Sequence, residues 1–205
     1  MPTLMSIGAD CQVSHQIRRV TGDETAYLFD WLITPVGSCG ALLGDDSDWF
    51  GSGNWEITAD GMRVRDKGTG LEFQHEFPLI DVPGNLIDVA GVEGHLGEAR
   101  AKYAHLKAKT LAALRSADDL VLIRREWWTD AWRAAADAAA ILETYSPLNP
   151  GLRLVLVSEA VTADCIYERY VLLKLEPGEA WTGDDRSWDR VFALIGAWSD
   201  ARVGA

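Results

Sequence analysis

The chain has 205 residues, 48% of them hydrophobic, and a formal charge of −12. That length and apolar content suit one domain, residues 1–205, with a sizeable core. The acidic balance argues against nucleic-acid phosphates and an anionic membrane surface, both of which need clustered Lys and Arg. No charged leader with an apolar stretch opens the chain, and no apolar run nears the ~20 residues that span a bilayer, so a soluble, cytoplasmic protein is expected.

The first stretch with chemical content is Leu4-Met5-Ser6-Ile7-Gly8-Ala9-Asp10-Cys11-Gln12. Leu4, Met5 and Ile7 suit a short buried strand, Gly8 permits a tight turn, and Asp10 is a favoured N-cap for a helix over residues 11–20. Cys11 then takes the first helical position, where unpaired amides and the positive end of the helix dipole favour thiolate over thiol. The same amides can hold the oxyanion of a tetrahedral acyl intermediate. The alternative is a cysteine that serves as a small buried hydrophobe. Cys11, Cys39 and Cys165 are odd in number and lack CxxC spacing, which indicates neither a disulfide framework nor a structural zinc site.

Val13, Ile17 and Val20 recur at helical spacing, and Gly22 ends that helix. Residues 26–33 form a dense apolar run around Asp30. A buried carboxylate needs donors or a cation, so Asp30 either anchors backbone amides or orients a catalytic base. Thr34-Pro35 close the run, and residues 36–43 suit a small-residue helix with Cys39 packed inside. A hairpin follows, with Asp60-Gly61 between residues 55–58 and 62–65. In residues 71–77, Leu71, Phe73, His75 and Phe77 alternate with Glu72, Gln74 and Glu76. That pattern places His75 on the apolar face, as a satisfied core residue or as a base turned towards a pocket.

Residues 78–97, rich in Gly and Pro, read as a long connection. A helix over 98–115 carries Ala99, Tyr103, Leu106, Thr110 and Ala113 on one stripe, with His105 facing solvent. Residues 120–123 suit a strand buried on both faces, ending in Arg124-Arg125-Glu126 where ligands of α/β sheets bind. Arg124 or Arg125 there either clamps an anionic group or forms a rim salt bridge. Asp130 caps a helix over 131–144, residues 152–157 and 167–175 read as strands, and 185–198 as a terminal helix. The alternation predicts an α/β fold with a largely parallel central sheet, flanking helices and the inserted β-hairpin. Among nine tryptophans, Trp127-Trp128 with Trp132, or Trp181 with Trp188, either line an apolar pocket or fill the core.

Taken together, the chain resembles a mostly bacterial family described as papain-like cysteine peptidases. The carrying residues are Ser6-Ile7-Gly8 followed by Cys11, the helix with Arg18, Phe29-Asp30-Trp31-Leu32 ending in Thr34-Pro35, Phe73-Gln74-His75-Glu76-Phe77, Tyr103 with its basic neighbours, and the strand ending in Arg124. The resemblance implies a papain-like α+β alternative for the fold, Cys11 as nucleophile, His75 as base and Asp30 as orienting residue. Asp81 and Glu76 are rivals to Asp30, Glu76 the weaker because adjacent strand residues point to opposite faces. More distantly, Gly8-Ala9-Asp10-Cys11-Gln12 is similar to the Gly-Asn-Cys-Gln corner of capsular-polysaccharide acetyltransferases with a papain-like arrangement, with one residue inserted and Asp for Asn. That likeness implies coenzyme A as acyl donor, no other cofactor being required.

The expectation is therefore a cysteine-dependent acyl-transfer enzyme, hydrolase or transferase, acting on a small-molecule or glycan substrate. Cys11, His75 and Asp30 would be catalytic; Asp10, Gln12, Trp31, Arg124 and Arg125 would contact substrate; no metal is expected. The rival is a non-catalytic module whose tryptophan-lined pocket holds a sugar or other small ligand. A serine esterase using Ser6 or Ser38 lacks the Gly-x-Ser-x-Gly elbow. His15, His75, His95 and His105 lack a paired metal-ligand spacing.

Overall fold

A computed structural model describes residues 2–44, 49–51, 53–80, 84–127 and 130–203. In chain order the elements are β1 (Thr3–Ser6), α1 (Gln12–Thr21), β2 (Leu32–Ile33), a 3-10 helix (Val36–Leu42), β3 (Trp55–Ile57), β4 (Val64–Asp66), β5 (Glu72–Phe73), α2 (Val89–Ser116), β6 (Leu120–Arg125), α3 (Ala131–Tyr145), β7 (Arg153–Ser158), β8 (Cys165–Ile166), β9 (Tyr170–Lys174) and α4 (Asp185–Val203).

The fold is α/β, with a mostly parallel central sheet ordered β1-β6-β7-β9-β8. β1, β6, β7 and β9 run parallel, and β8 pairs antiparallel with β9 at the edge. β6 and β7 are buried along their whole length, and their period-2 alternation feeds two cores. Leu120, Leu122, Leu154 and Leu156 face a large core shared with α2, α3 and the second sheet. Val121, Ile123, Val155 and Val157 face a smaller one with Val13 and Ile17 of α1 and Trp188, Val191 and Ile195 of α4. Helices therefore cover both faces, as a parallel sheet requires.

The expected hairpin is the β3–β4 pair, with Ile57 opposite Val64. It grows into a four-stranded antiparallel sheet, β2-β5-β4-β3, inserted between α1 and α2. The expected strand over residues 71–77 is corrected: β5 covers only Glu72–Phe73, and the chain bends from Gln74 onwards. Glu72 is buried on an ion pair with Arg65 at 2.5 Å and Arg63 at 3.3 Å. Beyond the bend, Glu76 accepts from Tyr103 Oη at 3.1 Å and pairs with Lys102, both on α2. Only by leaving the strand does the Glu76 carboxylate reach those donors, and the bend carries His75 out to the surface.

A second correction concerns α2, which starts at Val89 and not at residue 98. Asp88 caps it by accepting from Ala90 N at 3.1 Å. Gly91, Gly94 and Gly97 look like loop in sequence, yet lie inside this helix. Val92, Leu96, Ala99, Tyr103, Lys107, Thr110 and Leu114 form its buried stripe. Leu106, expected there, is only half-buried.

Candidate functional site

The corner between β1 and α1 is built by two residues with positive φ, Gly8 at 80° and Ala9 at 62°. Gly8 also touches the end of β2: a Cβ there would stand 2.4 Å from Thr34 Cβ, so the position admits only glycine. Arg124, completely buried, ties the corner down by donating to Ile7 O at 3.0 Å and Thr34 O at 2.8 Å, and it pairs with Glu126 at 2.7 Å. This contradicts its expected role as an anion clamp. Strand alternation turns Arg124 into the large core and Arg125 to the opposite side.

Cys11 is the N-cap of α1, one position earlier than expected, and is half-buried. Asp10, expected as the cap, still does the capping chemistry: its Oδ1 accepts from Gln12 N at 3.0 Å. Asp10 Oδ2 pairs with Arg125, whose other arm reaches Glu159 Oε1 at 2.6 Å. The Arg125 guanidinium lies 4.3 Å over the ring of Trp127. The loops after β1, β6 and β7 are thus joined by one Asp10–Arg125–Glu159 chain of charges. Gln12 is buried, donating to Trp181 O at 2.7 Å and accepting from Trp188 Nε1 at 3.2 Å. Asp10, Gln12, Arg124 and Arg125, all expected to contact substrate, are therefore committed to bonds within the chain.

The thiol's electrostatics also depart from expectation. Burial first, and then the Asp10 carboxylate, push the Cys11 pKa up; the contact with its own amide and the Arg125 charge oppose this without reversing it. The resting group is the thiol, so any nucleophilic use of it requires a base. One imidazole stands on the same helix face. His15 follows Cys11 at i+4, its amide donating to Cys11 O at 3.1 Å, a spacing that sets Cβ atoms about 5–6 Å apart. His15 is half-buried and meets the ring of Trp181 edge-on at 5.2 Å. Trp127, beside Arg125, and Trp181, beside His15, are each more than half exposed. The i, i+4 spacing of Cys11 and His15 is visible in the sequence, where the alternation of residues 71–77 points instead to His75.

His75 and Trp31 lie elsewhere. They line a cleft of about 500 Å³ with Arg18, Tyr27, Lys102 and His105, and Cys11 is not on its wall. His75 is exposed, correcting its expected place on the apolar face. Asp30 is a buried anchor: it accepts from Tyr27 N at 2.9 Å and Ser14 Oγ at 3.2 Å, with Arg18 at 3.5 Å. Burial raises its pKa, against the pull of the Tyr27 amide and Arg18. It orients α1 against residues 27–30, and among the described residues no histidine is bonded to it. Asp81 and Trp128 fall outside the described residues. Trp188 is fully buried and Trp132 is largely exposed. Trp188 therefore fills the smaller core.

Among the described residues, no group of three His, Cys, Asp or Glu is placed to hold a metal ion, and no helix is long and apolar enough to cross a membrane. No family model, no curated protein and no solved structure matches the chain.

Proposed function

We propose that the chain is a cysteine-dependent acyl-transfer enzyme in which Cys11 is the nucleophile and His15, not His75, is the base. The supporting observation is the placement of a half-exposed thiol at the carboxyl-end rim of a parallel sheet, on the first turn of a helix that carries an imidazole at i+4.

In this reading His15 takes the thiol proton as Cys11 Sγ attacks an acyl carbonyl. The tetrahedral oxyanion is held by first-turn amides of α1, which have no i−4 carbonyl of their own. Collapse expels the leaving alcohol or thiol, which recovers the proton from His15 and leaves an acyl-thioester on Cys11. Water or an acceptor hydroxyl then attacks that thioester, again deprotonated by His15, to give hydrolysis or transfer. Trp127 and Trp181 would stack on a sugar or other flat acceptor beside the thiol. If transfer is the outcome, coenzyme A is a suitable donor.

The experiment is to incubate the chain with p-nitrophenyl acetate and with acetyl-coenzyme A and read the Cys11 peptide by mass spectrometry. A +acetyl adduct on Cys11, lost in Cys11→Ala and slowed in His15→Gln but not in His75→Gln, supports the assignment. Equal rates in His15→Gln and the parent chain, or acetylation confined to other residues, would overturn it.

A further inference from the structure

We propose that the cleft holding His75 is a separate binding site for an amphipathic organic anion: a flat apolar body bearing one phosphate, sulfonate or carboxylate. Its volume of about 500 Å³ lies within the range of small-molecule sites. It is walled by α1, residues 26–31, the bend after β5, and α2. Tyr27 and Trp31 supply two half-buried aromatic faces, and Arg18, His75, Lys102 and His105 supply nitrogen donors.

Three features make this a place for an anion in a chain that is otherwise acidic. The Arg18 guanidinium lies 5.0 Å over the Trp31 ring, which holds it in plane for a ligand oxygen. Its contacts to Glu24 at 3.4 Å and Asp30 at 3.5 Å are long beside the ~2.7–2.9 Å of a tight charge-assisted bond. Its Nε is buried without a partner. Glu24 is mostly exposed, with 79% of its side chain accessible, so a ligand anion displaces it without uncovering a buried charge. Second, among the described residues neither the His75 nor the His105 imidazole is hydrogen-bonded, though both are exposed on the cleft wall. Third, the nearby carboxylate of Glu76 is already engaged by Lys102 and Tyr103 and is only 9% exposed, so it does not repel an entering anion as a free carboxylate would.

The inference is independent of the acyl-transfer reading, since no atom of Cys11 or His15 takes part. The test is calorimetric titration of the full chain with 1-naphthyl phosphate, 1-naphthol and inorganic phosphate. The ester is expected to bind, and each half-molecule to bind about ten-fold more weakly or worse, because stacking and charge recognition are both needed. A His75→Ala/His105→Ala double variant, whose side chains are exposed and so dispensable for folding, is expected to lose about ten-fold in affinity for the ester. Trp31→Phe, which keeps an aromatic wall, retains binding, and Trp31→Leu weakens it; Cys11→Ala binds as the parent chain does. Binding of 1-naphthol as tight as the ester, no binding of the ester, or no change in the double-histidine variant would each overturn the proposal.

Discussion

Arg124→Met tests whether the site corner is held by a buried cation. The arginine side chain has no exposed surface and delivers donors to two buried carbonyls, Ile7 O and Thr34 O, besides its pair with Glu126. Methionine keeps most of the stem volume and removes the charge, so the change is chiefly the loss of these bonds. Each carbonyl left without a donor costs about 1–3 kcal/mol. Glu126 keeps solvent access, its side chain being 31% exposed, and adds little. Relief of the desolvation cost of the guanidinium offsets part of the loss, giving a net loss of about 2–5 kcal/mol. With a urea m-value of about 2–3 kcal/mol/M, the midpoint should fall by roughly 1–2 M. Arg124→Lys should fall between, because an ammonium cannot reach both carbonyls as a planar fork does. Arg133→Met, on an exposed side chain, is the control and should change stability by less than about 0.5 kcal/mol. A shift for Arg124→Met no larger than the control's would refute the anchoring role and restore Arg124 as a candidate ligand clamp.

Gly8→Ala should cost about 2–4 kcal/mol, from positive φ plus collision with Thr34. Gly22→Ala, also at positive φ but with nothing near its Cβ, should cost only ~1 kcal/mol; equal losses in chemical denaturation would remove the packing argument. Asp30→Ala should lower the melting temperature while leaving the iodoacetamide rate at Cys11 unchanged, and a slower Cys11 reaction would instead mark Asp30 as part of the site. The alkylation rate of Cys11, followed on its own peptide, should rise with a midpoint above that of a free thiol, and Asp10→Asn should lower the midpoint; a parent midpoint at or below the free thiol's would refute the assignment of a protonated resting state. The linked stability effect follows in sign: the folded chain keeps the Cys11 and Cys39 protons to higher pH than the unfolded chain. Their contribution is full below the unfolded thiol pKa and is lost as pH rises through the folded values. Cys11→Ala should therefore show a shallower loss of stability on the alkaline side, and an unchanged slope would count against the shift.

The parallel sheet was readable because its strands are apolar on both faces. Residues 120–123 and 152–157 have no polar member to satisfy except Arg153, and they became the centre of the sheet. Asp130 is a cap in sequence and in structure, accepting from Arg133 N at 2.8 Å. What misled was period-2 alternation in residues 71–77, which treats Glu76 as a solvent-facing strand residue. The carboxylate is nearly buried instead, and its demand for donors from α2 outweighs the ladder bonds that residues 74–77 would have made. Glycine spacing misled similarly at the start of α2. Gly94 and Gly97 meet nothing within 4 Å at their Cβ positions, and the packing of Val92 and Leu96 holds that segment helical despite its weak propensity.

The same physics separates the two candidate chemistries. α1 rises about 1.5 Å per residue, so Cys11 at its cap and Arg18 seven residues on stand roughly 10 Å apart along the axis. Arg18, not Cys11, borders the cleft of His75. Asp30, bonded to Ser14 of α1 and to the Tyr27 amide, holds residues 27–30 against α1. Displacing the bend after β5 would break the Lys102 and Tyr103 contacts of Glu76 and disturb the Phe77 ring, which packs 5.6 Å from Phe50. Burying such a ring is worth roughly 1.5–3 kcal/mol, more than one thiol–imidazole hydrogen bond returns. His15, one turn from Cys11 on α1, needs no such rearrangement, so the proposed mechanism takes it as the base, while His75 lines the same cleft as Trp31.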